Sequence, residues 1–191
     1  AVIGGEFLLS GCKNTDAGKG ISFSDADIAF LNEVAETILP KTNTPGAKDA
    51  KVAEYMKVMV TDCYTEANQK AFYDGIKQLD EACEKMHQVG FMKASTEQRK
   101  SLLIALDKEA KDFQKAKSEK EKEVNERASK EHDKKFTFAP NHYFTMMKQL
   151  TLSGFFTSET AATQVLRYVA VPGKFEGCID YKKGDKIWAT S

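Results

Sequence analysis

No sign of charge dominates this sequence: 28 Lys and Arg stand against 28 Asp and Glu in 191 residues. A surface that binds nucleic acid needs an excess of positive charge on one face, so the balance argues against such a partner. The four cysteines, Cys12, Cys63, Cys83 and Cys178, form no CxxC pair, which argues against a zinc knuckle or a thioredoxin-like site. There is no glycine-rich dinucleotide fingerprint, no phosphate loop, no CxxCH haem site and no HExxH. No internal repeat is visible either. The three histidines are His87, His132 and His142. His87 falls near a helix end, where a cation is favoured; His132 sits in a charged run. A Cys–His pair of Cys178 and His142 lacks any recognisable flanking signature, so catalysis by this chain is not expected.

What is present begins with an apolar start. Residues 1–9 (AVIGGEFLL) lead into Leu9-Ser10-Gly11-Cys12. That order resembles a bacterial lipoprotein box, in which Cys12 is the acylated residue. The polar stretch 13–20 then reads as a tether. The apolar run is too short to span a bilayer and is expected to be the end of a longer export signal. An ordinary apolar helix is the competing reading, and Glu6 inside the run favours it.

From Phe23 onward the spacing is helical. Ser24 is an N-cap with Asp25 and Asp27 in the first turn. Ile28, Leu31, Ala35 and Ile38 recur at helical spacing, with Phe30 and Val34 widening the stripe, which Pro40 ends. Residues 42–46 (TNTPG) make a turn. Further helices are expected over 50–64, with Val52, Tyr55, Met56, Met59, Val60 and Cys63 inward, and over 65–89, with Ala71, Phe72, Ile76, Leu79, Cys83 and Met86 inward and Gly90 as the C-cap. Ser95 and Gln98 make a capping box for a fourth helix carrying Leu102, Leu103, Leu106 and Phe113. Residues 108–135 are dominated by charges of both signs, as in a solvent-washed helix end or a linker. A last apolar helix covers 141–156.

Residues 157–191 are glycine- and proline-punctuated, aromatic and not helical by pattern. The expected fold is all-α: an irregular multi-helix bundle with a long extended, aromatic-rich C-terminal tail. The expected divisions are residues 1–20, a helical domain over 21–156 with its insert at about 108–135, and the tail.

Three segments carry a family resemblance: residues 36–64 (ETILPKTNTPGAKDAKVAEYMKVMVTDCY), 149–156 (QLTLSGFF) and 161–190 (AATQVLRYVAVPGKFEGCIDYKKGDKIWAT). In this order they resemble gluconate 2-dehydrogenase subunit 3. The resemblance implies a non-catalytic small subunit of a periplasmic or membrane-anchored dehydrogenase. The catalytic partner would be a flavoprotein of the glucose-methanol-choline type carrying FAD, often handing electrons to a cytochrome c. It further implies export by the twin-arginine route, although no twin arginine occurs in this sequence. Aromatic and arginine anchors dominate protein interfaces, which points to Phe155, Phe156, Arg167, Tyr168, Phe175 and Trp188 as partner contacts. The alternative for the two phenylalanines is that they close this chain's own core. Cys63 and Cys178 lie in family-like blocks. A disulfide between them would close a loop for which chain-entropy models give roughly 4–5 kcal/mol. Cys83 or the large subunit as the bonding partner, and free buried thiols, stand as alternatives. A free-standing saccharide-binding lipoprotein is the competing function.

Overall fold

The computed structural model describes residues 21–131, 139–171 and 173–189 apart from Phe175, Glu176, Ile179 and Tyr181, with backbone alone for 128–131. Five α-helices make up the body, and no strand occurs among the described residues. They are α1 (Asp25–Ile38), α2 (Val52–Cys63), α3 (Glu66–His87), α4 (Thr96–Glu131) and α5 (Tyr143–Phe156). A short 3-10 turn, Phe91–Lys93, joins α3 to α4, and a wide helical turn, Ala161–Val165, follows α5.

Local chemistry sets where these helices start and stop. Ser24 and Asp27 exchange bonds as a capping box at the head of α1. Ser95 and Gln98 do the same for α4: the Ser95 N–H donates to Gln98 Oε1 at 2.9 Å, and the Gln98 N–H to Ser95 Oγ at 3.2 Å. Each box satisfies amides that the first helical turn would otherwise leave unpaired. Thr65 caps α3, and Gln88, left-handed at φ 59°, closes it. Gly90, the expected cap, has another task. Its missing Cβ leaves room for the Asp80 carboxylate, which accepts the Phe91 N–H at 2.7 Å.

The core lies where α5 meets α1, α2 and α3, sealed on one side by the first turns of α4. Leu31, Val34, Val52, Met56, Val60, Phe72, Leu79, Phe91, Leu102, Phe144 and Met147 are all buried. Full burial of a large apolar side chain is worth about 1.5–3 kcal/mol each. α5 threads the centre and is apolar on nearly every side, with Tyr143, Phe144, Met146, Met147, Leu150 and Phe155 all covered. The buried hydroxyl of Thr151 donates back to the Met147 carbonyl at 2.8 Å.

Three close approaches make this packing possible. A Cβ on Gly154 would lie 2.6 Å from the Tyr55 ring, and one on Gly75 would lie 2.3 Å from Tyr143 Cβ. α5 therefore touches α2 and α3 almost backbone to ring. The third is Gly46, where a Cβ would strike Glu36 Oε1 at 2.5 Å.

The structure departs from the sequence reading at several points. Of the two readings of the charged run, a helix end or a linker, the described part is helix: α4 continues to Glu131, about 54 Å at 1.5 Å per residue. Within it the side chain of Lys117 is nearly covered and donates to Asn141 Oδ1 at 2.7 Å, tying the helix to the chain that returns into α5. Met86, Phe113 and Cys63 are exposed rather than inward. Met86 and Cys63 lie at the last turns of their helices, and Phe113 lies on α4 beyond Ala110, the last described residue of that helix in the core. The tail also opens with helical turns over 159–165 instead of leaving α5 directly as extended chain. None of the helices is long and apolar enough to cross a membrane among the described residues.

Candidate interaction surface

The polar residues of the body are engaged in holding loops. Glu36 accepts the backbone N–H groups of Lys41 at 2.8 Å and Lys48 at 2.9 Å, one on each carboxylate oxygen. Asp49 accepts the Gly46 N–H at 3.0 Å and the Lys41 ammonium at 3.2 Å. These bonds hold the Asp49 carboxyl below its ordinary pKa. The block ETILPKTNTPGAKD is thus a self-locking connection between α1 and α2. Pro40 ends the helix, Glu36 and Asp49 satisfy the turn, and Gly46 lets the two approach. Beside it, Glu33 receives Lys48 and Arg99, and Arg99 also donates to the carbonyls of Phe91 at 2.9 Å and Met92 at 2.8 Å. Burial pushes the Glu33 carboxyl up, but the bonds and charges of Lys48 and Arg99 outweigh it and hold it below its usual value.

His142 is equally committed. It is the N-cap of α5: its Nδ1 accepts the Phe144 N–H at 3.2 Å, which leaves Nε2 to carry the proton and face Glu109 at 3.7 Å. The ring stacks on Tyr143 and meets the edge of Phe113. Burial pushes the Tyr143 phenol up to about 12, with Glu109 adding to the shift. Among the described residues, no cluster of three or more His, Cys, Asp or Glu could hold a metal ion.

The tail carries a different construction. Arg167 and Trp188 come together: the guanidinium sits 4.1 Å from the indole ring centre. The backbone pairs there as well. The Arg167 N–H donates to the Ile187 carbonyl at 2.8 Å, and the Ala189 N–H to the Arg167 carbonyl at 3.0 Å. Lys186 Nζ donates to the Gln164 carbonyl at 2.7 Å. The far end turns at Gly184, which is left-handed at φ 100°, with Asp185 bonded back to Lys182. The chain leaves at Arg167 and returns at Trp188, making a clasped lobe. Among its described residues several apolar side chains are exposed: Val171 is 82% exposed, Ile187 77%, Tyr168 49% and Val169 41%.

The residues expected to meet a partner therefore separate. Arg167, Tyr168 and Trp188 belong to the clasped lobe. Phe156 is exposed at the end of α5, whereas Phe155 is in the core, 4% exposed. Consecutive helical residues point about 100° apart, and at the last turn of α5 Phe156 lies on the side that the other helices leave uncovered. Phe175 and Cys12 lie outside the described residues. Cys63 and Cys178 are both exposed free thiols, so the expected pin between tail and body is not made in this structure, and the clasp holds the tail instead. Sequence reading missed the pairing of Arg167 with Trp188 and the Glu33–Arg99 bridge. Both join residues far apart along the chain, with no periodic signal.

The family model for gluconate 2-dehydrogenase subunit 3 matches residues 25–173. The chain belongs to this family. The gluconate 2-dehydrogenase subunit 3 match spans α1 to α5 and ends inside the lobe, so the closing residue Trp188 lies beyond it. No curated protein and no solved structure matches the chain. Its family name makes it a subunit of a dehydrogenase complex, which implies a catalytic partner subunit.

Proposed function

We propose that this chain is the non-catalytic small subunit of a periplasmic or membrane-anchored, FAD-dependent sugar or glucoside dehydrogenase, and that it supports the export, stability and anchoring of the catalytic subunit. The observation that carries the reading is the family match over residues 25–173. Two features of the molecule support it. Glu36, His142 and Arg99 of the body are occupied in capping a helix and fixing loops. The clasped lobe presents apolar side chains that a partner surface would cover.

In this reading the flavin belongs to a partner of the glucose-methanol-choline type, and a cytochrome c takes the electrons. Cys12 bears the lipid, and a twin-arginine signal directs export. Purification of the complex from native membranes in mild detergent tests it. A stoichiometric flavin-containing subunit should co-purify, and the intact mass of this chain should match an acylated N-terminus at Cys12. A lone chain that binds saccharide without any partner would overturn the proposal.

A further inference from the structure

A second surface lies away from the lobe, along the seam between α4 and α5. Two hollows of about 250 and 260 Å³ open there, and both are lined by Asp107 and Lys148, so they form one trough. One end is floored by Ile38, Leu103 and Phe144 and flanked by Ile104, which is 62% exposed. The other end runs past Ala110 to Leu152 and Gln114. On α4 the lining residues recur every three or four positions, from Lys100 to Gln114, a length of about 21 Å. A shallow apolar channel of that length, framed by two helices, has the shape that accepts a third helix ridge-into-groove.

The charges along it are uneven. Three lysines, Lys100, Lys111 and Lys148, line the trough against one carboxylate, Asp107. Asp107 is shared between Lys111 and Lys148. One negative charge thus answers two ammonium groups, and Lys100 adds a third. An occupant that matches this surface is apolar on the face it buries and carries carboxylates along its edges.

We infer that the α4–α5 trough receives an amphipathic, acid-edged helix of the catalytic subunit, a second docking site separate from the clasped lobe. The inference rests on the accessory-subunit reading. A subunit gripped both at its lobe and across its body would hold its partner by two linked contacts, and linkage raises overall affinity without new contact types.

The test uses the intact complex with a photo-crosslinking phenylalanine at position 104, and the same residue at position 58 on α2 as a control, since Val58 is also exposed. Crosslinking from position 104 should capture an acidic, amphipathic helical segment of the catalytic subunit, while position 58 should not capture that segment. Ile104→Asp should weaken the complex about tenfold or more. Lys100→Glu should weaken it several-fold at low salt, roughly, with the difference fading in high salt. Both substituted side chains are exposed, and a thermal melt matching the wild type checks that the fold is kept. If the complex forms but position 104 captures nothing, a second copy of this chain or a basic segment, the trough proposal is overturned and the accessory reading stands. If the wild-type chain holds no other subunit at all, both fall.

Discussion

Arg99 offers the sharpest quantitative test of the body. Its guanidinium joins three elements: Glu33 on α1, the carbonyls of Phe91 and Met92 in the 3-10 turn, and its own position on α4. It also lies over the Phe91 ring at 5.1 Å. Arg99→Ala removes all of this at once. Met92 is exposed, so its carbonyl regains water; Phe91 is fully buried, and its carbonyl keeps only the Ala94 N–H, at 3.3 Å. Glu33 keeps Lys48. Two charge-assisted bonds are then lost without replacement, and at about 1.5 kcal/mol each the expected destabilisation is about 3 kcal/mol. Arg99→Lys keeps a charge for Glu33 but cannot reach both carbonyls with a fixed fork, so about half that loss is expected. The pH dependence has a definite sign. The folded Glu33 carboxyl is held below its ordinary value. Its contribution is therefore complete above the unfolded value of about 4.3 and is lost as pH falls through the folded one. The gap between wild type and Arg99→Ala should narrow as the pH is lowered from neutrality towards about 3, leaving a remainder due to the Phe91 carbonyl. Urea unfolding followed by circular dichroism at both pH values measures it. A loss under about 1 kcal/mol, or a gap indifferent to pH, would refute the reasoning.

Other expectations concern packing, the clasp and the thiols. Gly154→Ala gains helix propensity of about 1 kcal/mol but presses on Tyr55, so a net loss of about 1 kcal/mol is expected in thermal or urea unfolding. Pairing it with Tyr55→Ala should cost less than the two single losses added, because the clash is then absent. Trp188→Ala should leave the melting of the bundle nearly unchanged while trypsin cleaves within 168–187 much faster, as limited proteolysis with mass mapping would show. Cys63 and Cys178 should react with a maleimide in the native protein. Cys83, buried and with its thiol pushed up by that burial, should react only in denaturant. Protection of both Cys63 and Cys178 in unreduced protein would point to a bond the structure does not contain.

Sequence reading succeeded where the physics is local. The Ser24 and Ser95 caps, the stop at Pro40 and the apolar stripes of α1 to α3 depend on neighbours within one or two turns, and the structure has them. It failed where the deciding contact is distant. Nothing near Arg99 announces Glu33, and nothing near Arg167 announces Trp188. The length of α4 was hidden for a related reason. Its later turns have little apolar character, but Lys117 reaches across to Asn141 and ties the helix to returning chain. Phe155 and Phe156 looked equivalent as residue types, and the rotation of α5 separates them. The tail's aromatic content gave no sign of how the chain closes on itself between Arg167 and Trp188. The α4–α5 trough gave no sequence signal, since its lysines look like any solvated helix face.

The clasp has one more consequence. Because Arg167 and Trp188 stand side by side, the chain departs from the body and rejoins it at a single point. The intervening stretch could lengthen, shorten or be exchanged without disturbing the five helices, and closing a longer excursion costs only about 0.6 kcal/mol per doubling. The lobe is in effect an interchangeable fitting, which related chains can alter in length and sequence while inheriting one unaltered frame.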